Sequence, residues 1–458
     1  MVIESKETRS GFERHARYID PGFTRLLDLL GYGRLFVRAS GTTIWDAEGR
    51  AYVDFLAGCG SVPLGYNHPE IIAAAEATLR ASVPSFMQLA PQPGAGLLAE
   101  MLASRLGQDL SRAHFANSGS EAVDGALKLA FAATRRGAVL HCDKSYHGVT
   151  LGVLSVMGGK RLRSPFPPLI PSESVPFGDL DAAERKLRTE RFAAFIVEPI
   201  QFEGGVHQAD PSYFAGIRAL CHKHGTALIF DEAQTGLGRT GTLFAYQWIG
   251  VVPDILCYAK ALSGGLVPIA GYSTSPAWQQ RAYGKLQDFE FVANTFGGGS
   301  LACAVALRTL ELIDDALLRH VNEMGKHLGA RLKSLQGTSP MLREARGRGL
   351  MWAVECDTPT HGLASVLTLG IPNLIAHSLY ALWIAQRMME RGFLTQIPTH
   401  DQRVLRIEPP LVIERPEIDA FVSALGETFS ENERFVRFIR AAGGRILERK
   451  LGGAGSQE

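Results

Sequence analysis

Two side chains stand at the ends of neighbouring apolar runs. Asp231 follows "TALIF" in "TALIFDEAQTG", and Lys260 follows "VVPDILC" in "YAKALSGG". An uncompensated charge at the end of a buried strand is costly, on the order of 2–7 kcal/mol even for a merely polar group, so the lysine amine needs a use. Two more stretches carry groups of complementary kinds. "FANSGSEAVDGALKLA" sets Asn117, Ser118, Gly119 and Ser120 before a helix, where free N–H groups, a hydroxyl and the positive end of the helix dipole form an anion site. "DKSYHGVT" places Tyr146 and His147 ahead of Gly148, after the strand-like "AVLHC". Each has a plainer reading. Ser118 or Ser120 can be an ordinary N-cap, Asp231 a loop carboxylate, His147 a hydrogen-bonded structural group and Tyr146 core.

One chemistry uses all four together: a phosphate cradle, an acid that keeps a heteroaromatic nitrogen protonated, a flat ring to stack, and a lysine to form an imine. That is pyridoxal 5'-phosphate held as a Schiff base, an electron sink for a carbanion at the substrate carbon. Lys260 is then tolerated because its amine is condensed with the cofactor aldehyde, and once displaced it serves as a base. A free lysine has a pKa of about 10.4, so the surroundings must favour the neutral amine.

Such groups need strand ends to carry them. Between about Asn117 and Tyr272, "AVLHC", "FAAFIV", "TALIF" and "DILCYA" alternate with the amphipathic "SEAVDGALKLAFAATR" and "SYFAGIRALCHKH". The pattern predicts a parallel sheet covered by helices on both faces, with ligands at the carboxyl ends of its strands. Helical periodicity continues from "LACAVALRTLELIDD" through "HVNEMGKHLGARLKSL". "RGRGLMWAVE", "VLRIEPPL" and "ERPEIDAFVSALGETFS" then suggest a smaller α/β unit, onto which an early hairpin, "TIWDAEGRAYVDFLAG", could pack. The expected division is 1–65 and 336–458 for the small domain and 66–335 for the large one.

The chain resembles the class III aminotransferases, a fold type I family that includes ornithine, 4-aminobutyrate and putrescine aminotransferases and glutamate-1-semialdehyde aminomutase. The likeness runs from "GTTIWDAEGRAYVDFLAG" to "LRIEPPL" and centres on "LIFDEAQTGLGRTG" with "PDILCYAKALSGG". It implies an α/β enzyme with a mostly parallel sheet in its large domain and a small domain from both chain ends. By the same resemblance Lys260 is the imine lysine, Asp231 binds the pyridine nitrogen and Gln234 lies near the ring oxygen. Ser118, Gly119 and Ser120 match the phosphate loop, Tyr146 and His147 the aromatic-His-Gly motif, and Glu198 the acid of "VEPIQ". Thr295 matches the threonine that reaches the phosphate of the partner subunit, which implies a homodimer with shared sites. Gly299 and Ser300 replace the family's usual Asn-Pro, implying a looser loop.

Arg406 matches the arginine that grips an α-carboxylate, a task suited to a planar fork of donors; a strand arginine paired with a surface acid is the plain alternative. Glu203 matches the gate glutamate that pairs with this arginine until a carboxylate arrives, which suits an enzyme with two unlike substrates. Phe202 replaces a frequent glycine and is expected beside the pocket, favouring apolar or aromatic partners, unless it faces the core. The implied reaction moves an amino group between an amine or ω-amino compound and a 2-oxo acid by a ping-pong route. An isomerase on the same fold, aminomutase or racemase, is the alternative, and a catalytically silent cofactor-binding scaffold a third.

Composition agrees with small-molecule chemistry. The 458 residues carry 47 Lys plus Arg against 46 Asp plus Glu, which gives no field for nucleic acid or an anionic membrane. Six cysteines without CxxC spacing fit reduced thiols, and no apolar run reaches the 18 or so residues of a membrane span. With no secretory signal at the N-terminus, a cytoplasmic enzyme is expected. "CHKHG" sets His222 and His224 apart on a helix, so no metal site is expected, and "GLGRTG" lacks the strand-to-helix context of a dinucleotide fingerprint.

Overall fold

In the computed structural model, residues 5–29, 32–86, 90–337, 339, 341–357 and 373–431 are described; the Gly/Ser-rich stretch 451–458 lies outside them. After two helices, Ser5–Tyr18 and Pro21–Leu29, the strands β1 (Phe36–Ser40), β2 (Thr43–Asp46) and β3 (Ala51–Asp54) form an antiparallel meander. β2 and β3 are the expected hairpin, and β1 is an additional strand.

The middle of the chain builds a seven-stranded sheet. Its strands in chain order are β4 (Arg112–Ala116), β5 (Ala138–Cys142), β6 (Ser172–Val175) and β7 (Phe192–Val197), then, after the small hairpin β8 (Ile200–Gln201) and β9 (His207–Gln208), β10 (Ala227–Asp231), β11 (Ile255–Tyr258) and β12 (Ala270–Thr274). In space the order is β4-β12-β11-β10-β7-β5-β6. All neighbours are parallel except β12, which runs antiparallel to both β11 and β4.

β7 and β10 are buried at every position because helices cover both sides, so their apolar runs are continuous instead of alternating. Side chains still divide by parity. Ala194, Ile196 and Ile229 pack with Val123, Ala126 and Leu127 of the helix Gly119–Thr134. Phe195, Val197, Leu228 and Phe230 pack on the opposite face with Phe214, Ile217 and Cys221 of the helix Pro211–His224. Burying each large side chain contributes about 1.5–3 kcal/mol.

A second core lies around the antiparallel sheet β13 (Leu342–Arg348), β14 (Met351–Cys356) and β16 (Val404–Ile407), flanked by the helices Asn373–Glu390 and Arg415–Glu431. Between them β15 (Phe393–Leu394) pairs in parallel with β3, which joins the N-terminal hairpin to this part of the chain. The helix Asp315–Leu335 lends Val321, Met324, Leu328 and Leu332 to this second core, and its Leu317 touches both cores.

Candidate active site

The parallel register of β10 with β11 sets Asp231 beside Cys257, three residues before Lys260. Both then open into one cavity of about 440 Å³ at the strand ends, together with Ser118, Gly119, Ser120, Tyr146 and His147. Lys260 has a left-handed φ of 43°, which turns the chain sharply where β11 ends. Among the described residues no carboxylate lies within ion-pair distance of its Nζ. The carboxyl groups of Asp231 and Glu232 part at the end of β10. Glu232 is the group that caps: it accepts from the N–H groups of Ala245 and Tyr246 and from Thr235, and burial lifts its pKa to about 7. Asp231 accepts from Ala233 N at 3.1 Å and meets His147 Nδ1 at 2.8 Å.

Ser118 is the N-cap of Gly119–Thr134, accepting from Glu121 N at 3.2 Å, so the plain capping reading and a place in the cavity wall hold at once. Ser120 Oγ accepts from Val149 N at 3.1 Å and thereby ties the turn that carries Tyr146 and His147 to the helix start. A Cβ at Gly148, whose φ is 120°, would stand 2.1 Å from Ser120 Oγ, so this contact requires glycine. Glu198 lies behind the wall, accepting from Tyr146 N at 2.9 Å; burial and then the charge of Asp231 push its pKa well above the usual carboxylate range.

These groups fit pyridoxal 5'-phosphate. An acid stands ready for a ring nitrogen, a helix start and hydroxyls for a phosphate, and a lysine amine for an aldehyde. His147 Nε2 is buried without a hydrogen-bond partner among the described residues.

The remaining candidates gather elsewhere or stand apart. Arg406, on β16, donates through Nη1 to Glu203 Oε1 and through Nη2 to Gln396 Oε1 at 2.7 Å, with Cys59 Sγ at 3.5 Å. Burial works against the charge of Glu203, but Arg406 and two hydrogen bonds from Thr399 prevail and hold its pKa below the usual value. Phe202 does not flank the cavity as expected. It is 1 % exposed, packs with Ile200, Val206, Met351, Ala353 and Val404, and its ring centre lies 5.4 Å from the Arg406 guanidinium carbon. The physical reason is local: Phe202 begins the turn after β8, where its ring fills the small core closed by Met351, Ala353 and Val404 while Glu203 pairs with Arg406.

Gln234 donates to Glu408 and approaches Cys59 O at 3.4 Å, facing the N-terminal segment and not the cavity wall. Thr295 is exposed and is not in this cavity's lining. At the end of its loop Ser300 Oγ donates to Pro84 O at 2.7 Å, and a Cβ at Gly299 would meet the Phe86 ring at 2.5 Å. Cys59 is exposed and the other five cysteines are buried; all six are free thiols. His222 is exposed and His224 buried. Among the described residues no His, Cys, Asp or Glu cluster could hold a metal ion, and no helix is long and apolar enough to cross a membrane.

Several wall residues escaped the motif reading: Ser61, Ser263 and residues 265–269 line the cavity, and Glu408, Gln396 and Thr399 surround Arg406 and Glu203. Glu408 had a signal, since it lies two residues beyond Arg406, just past the end of β16, at the spacing that repeats one side of an extended chain. Thr399 had none.

The profile described as Aminotransferase class-III matches residues 32–429. The aminotransferase PigE of Serratia sp. is 34% identical over 95% of this chain, which spans 55% of that longer protein. The putrescine aminotransferase of Pectobacterium atrosepticum is 37% identical, covering 91% of this chain and 87% of its own length. The ornithine aminotransferase of Toxoplasma gondii, in a crystal structure with partial pyridoxal phosphate occupancy at the active site, superposes with a TM-score of 0.80 at 31% identity, over 94% of this chain and 95% of its own.

Proposed function

The chain belongs to the class III aminotransferases, which depend on pyridoxal 5'-phosphate and share the fold type I architecture, and from that premise we propose that it moves an amino group from a terminal amine or ω-amino compound to a 2-oxo acid in two half-reactions. The observation that carries the reading is the delivery of Asp231 and Lys260 by adjacent parallel strands to one cavity. The bound cofactor supplies an aldehyde that captures the donor nitrogen and a ring that accepts the electron pair released at the neighbouring carbon. Asp231, braced by His147, would keep the proton on the ring nitrogen. Backbone N–H groups and hydroxyls at 118–120 would hold the phosphate, and Tyr146, fixed through its N–H by Glu198, would supply an aromatic wall for the ring. Lys260 Nζ would take the proton from the donor carbon and pass it to the cofactor's aldehyde-derived carbon, and in the second half-reaction would carry a proton the opposite way, to the carbonyl-derived carbon of the 2-oxo acid.

Arg406 grips the carboxylate of the 2-oxo acid, and Glu203 neutralises that arginine when the donor has none. In this reading Phe202 supports the guanidinium, Gln234 would have to leave Glu408 to meet the cofactor's ring oxygen, and Thr295 would serve the partner subunit's site in a homodimer. Residues 1–65 and 336–458 make the smaller domain and 66–335 the larger, with the helix Asp315–Leu335 bridging them. Free thiols at all six cysteines favour a reducing compartment, the cytoplasm.

The deciding experiment adds an amine donor to the holoenzyme without a 2-oxo acid. Transamination converts the cofactor absorbance to that of the amine form, and 2-oxoglutarate or pyruvate restores it. Product isomer without any acceptor would instead establish the isomerase.

A further inference from the structure

Glu203 is held from two sides. Arg406 donates to its Oε1, while Oε2 receives both the backbone N–H of Thr399 at 2.7 Å and the Thr399 hydroxyl at 2.6 Å. The adjoining His400 N donates to the Glu203 carbonyl at 2.9 Å. The Thr399 segment is itself fixed, because Asp401 pairs with Lys144 at 3.1 Å and with Arg403 at 3.0 Å. It therefore cannot follow the carboxylate when that side chain swings away. Arg406 keeps a neutral partner in Gln396 after Glu203 has left, so the guanidinium stays oriented and only its charge is uncovered.

We propose that Thr399 is a positioning residue that latches Glu203 over Arg406 and thereby sets how readily the pocket admits a substrate carboxylate. This rests on the reading of Glu203 as a gate. An arriving carboxylate must replace the arginine's partner and also release two hydrogen bonds to Thr399. Its apparent affinity equals the intrinsic affinity scaled by the fraction of molecules with the gate open. Removing the Thr399 hydroxyl weakens the closed state by one hydrogen bond to a charged acceptor and raises that fraction about tenfold.

The test is calorimetric titration of the holoenzyme with glutarate, a dicarboxylate without a reacting carbonyl. Thr399→Val is expected to bind glutarate about tenfold more tightly than the parent, and Thr399→Ser, which keeps the hydroxyl, to bind it like the parent. A gain of affinity is a result that damage to the fold does not produce. Glu203→Gln is expected to tighten binding as well, and Arg406→Ala to abolish it. If Glu203→Gln tightens binding while Thr399→Val leaves it unchanged or weaker, the latch is wrong and the gate stands. If Glu203→Gln also changes nothing, or Arg406→Ala binds like the parent, the gate reading itself is overturned.

Discussion

Glu408 is fully buried two residues beyond Arg406, with one carboxyl oxygen taken by Gln234 and the other, Oε1, without a hydrogen-bond partner among the described residues. Burial lifts its pKa from the ordinary 4.5 to about 7, although Arg406, Arg239 and Lys260 pull it down. Raised in the folded state, this group adds stability that is complete below about pH 4.5 and lost as the pH climbs through about 7. The Glu408→Gln variant has no such proton to lose. Its stability relative to the parent is expected to rise across that window by about 1.4 kcal/mol per pH unit, about 3 kcal/mol in all, and to level off above it. Denaturant melts of both proteins from pH 4.5 to 8 check this; parallel curves would contradict the buried proton. For Lys260→Ala the expectation is a fall in turnover of about 10²–10⁴-fold or more, because the amine at the strand end is removed. Cofactor absorbance must show that the variant still binds the vitamin derivative, and undiminished transfer would remove the catalytic assignment.

The turn from Tyr146 to Gly148 depends on one missing side chain. In Gly148→Ala the new methyl would face Ser120 Oγ at 2.1 Å on a backbone with φ of 120°, so the aromatic turn must back away from the helix start. Cofactor affinity is expected to fall by about tenfold or more, at a strain of order 1–3 kcal/mol. Fluorescence titration of the apoenzyme measures this, and an unchanged constant would show that the turn adapts freely. The strands and helices around this turn were legible in the sequence because burial on both faces leaves long apolar runs, as in "FAAFIV", and amphipathic helices leave stripes. The direction of β12 was not read, because strand polarity leaves no local pattern. Its signal was the connection: from Tyr258 to Ala270 the chain holds only the Lys260–Ser263 turn, too little for a parallel crossover. Asp231, Lys260 and Tyr146 were legible as a set. Phe202 and Thr399 were not, since their positions follow from which face of Glu203 the neighbouring segments approach.

Arg239, in the "GLGRTG" loop after β10, crosses between the two cores: buried there, it donates to the carbonyls of Leu350 and Pro409. Burial lowers its pKa, while Glu408 and Asp54 offset that effect. Arg239→Ala takes its donor from those two carbonyls and removes a buried positive charge that Glu408 and Asp54 feel, at an expected cost of about 2–6 kcal/mol. Scanning calorimetry should show a melting temperature lower by several degrees; a change of less than about one degree would mean that other contacts carry the junction. The glycine-rich stretch is thus a clasp between the cores, a role set by long-range contacts that local sequence does not display. The pairing of β3 with β15 reaches further still, since Val53 must wait for Phe393. At a synthesis rate of about 5–20 residues per second, the ribosome takes on the order of 20–70 s to make the intervening stretch. During that interval the β3 edge of the emerging hairpin stays without the β15 backbone that later pairs with it.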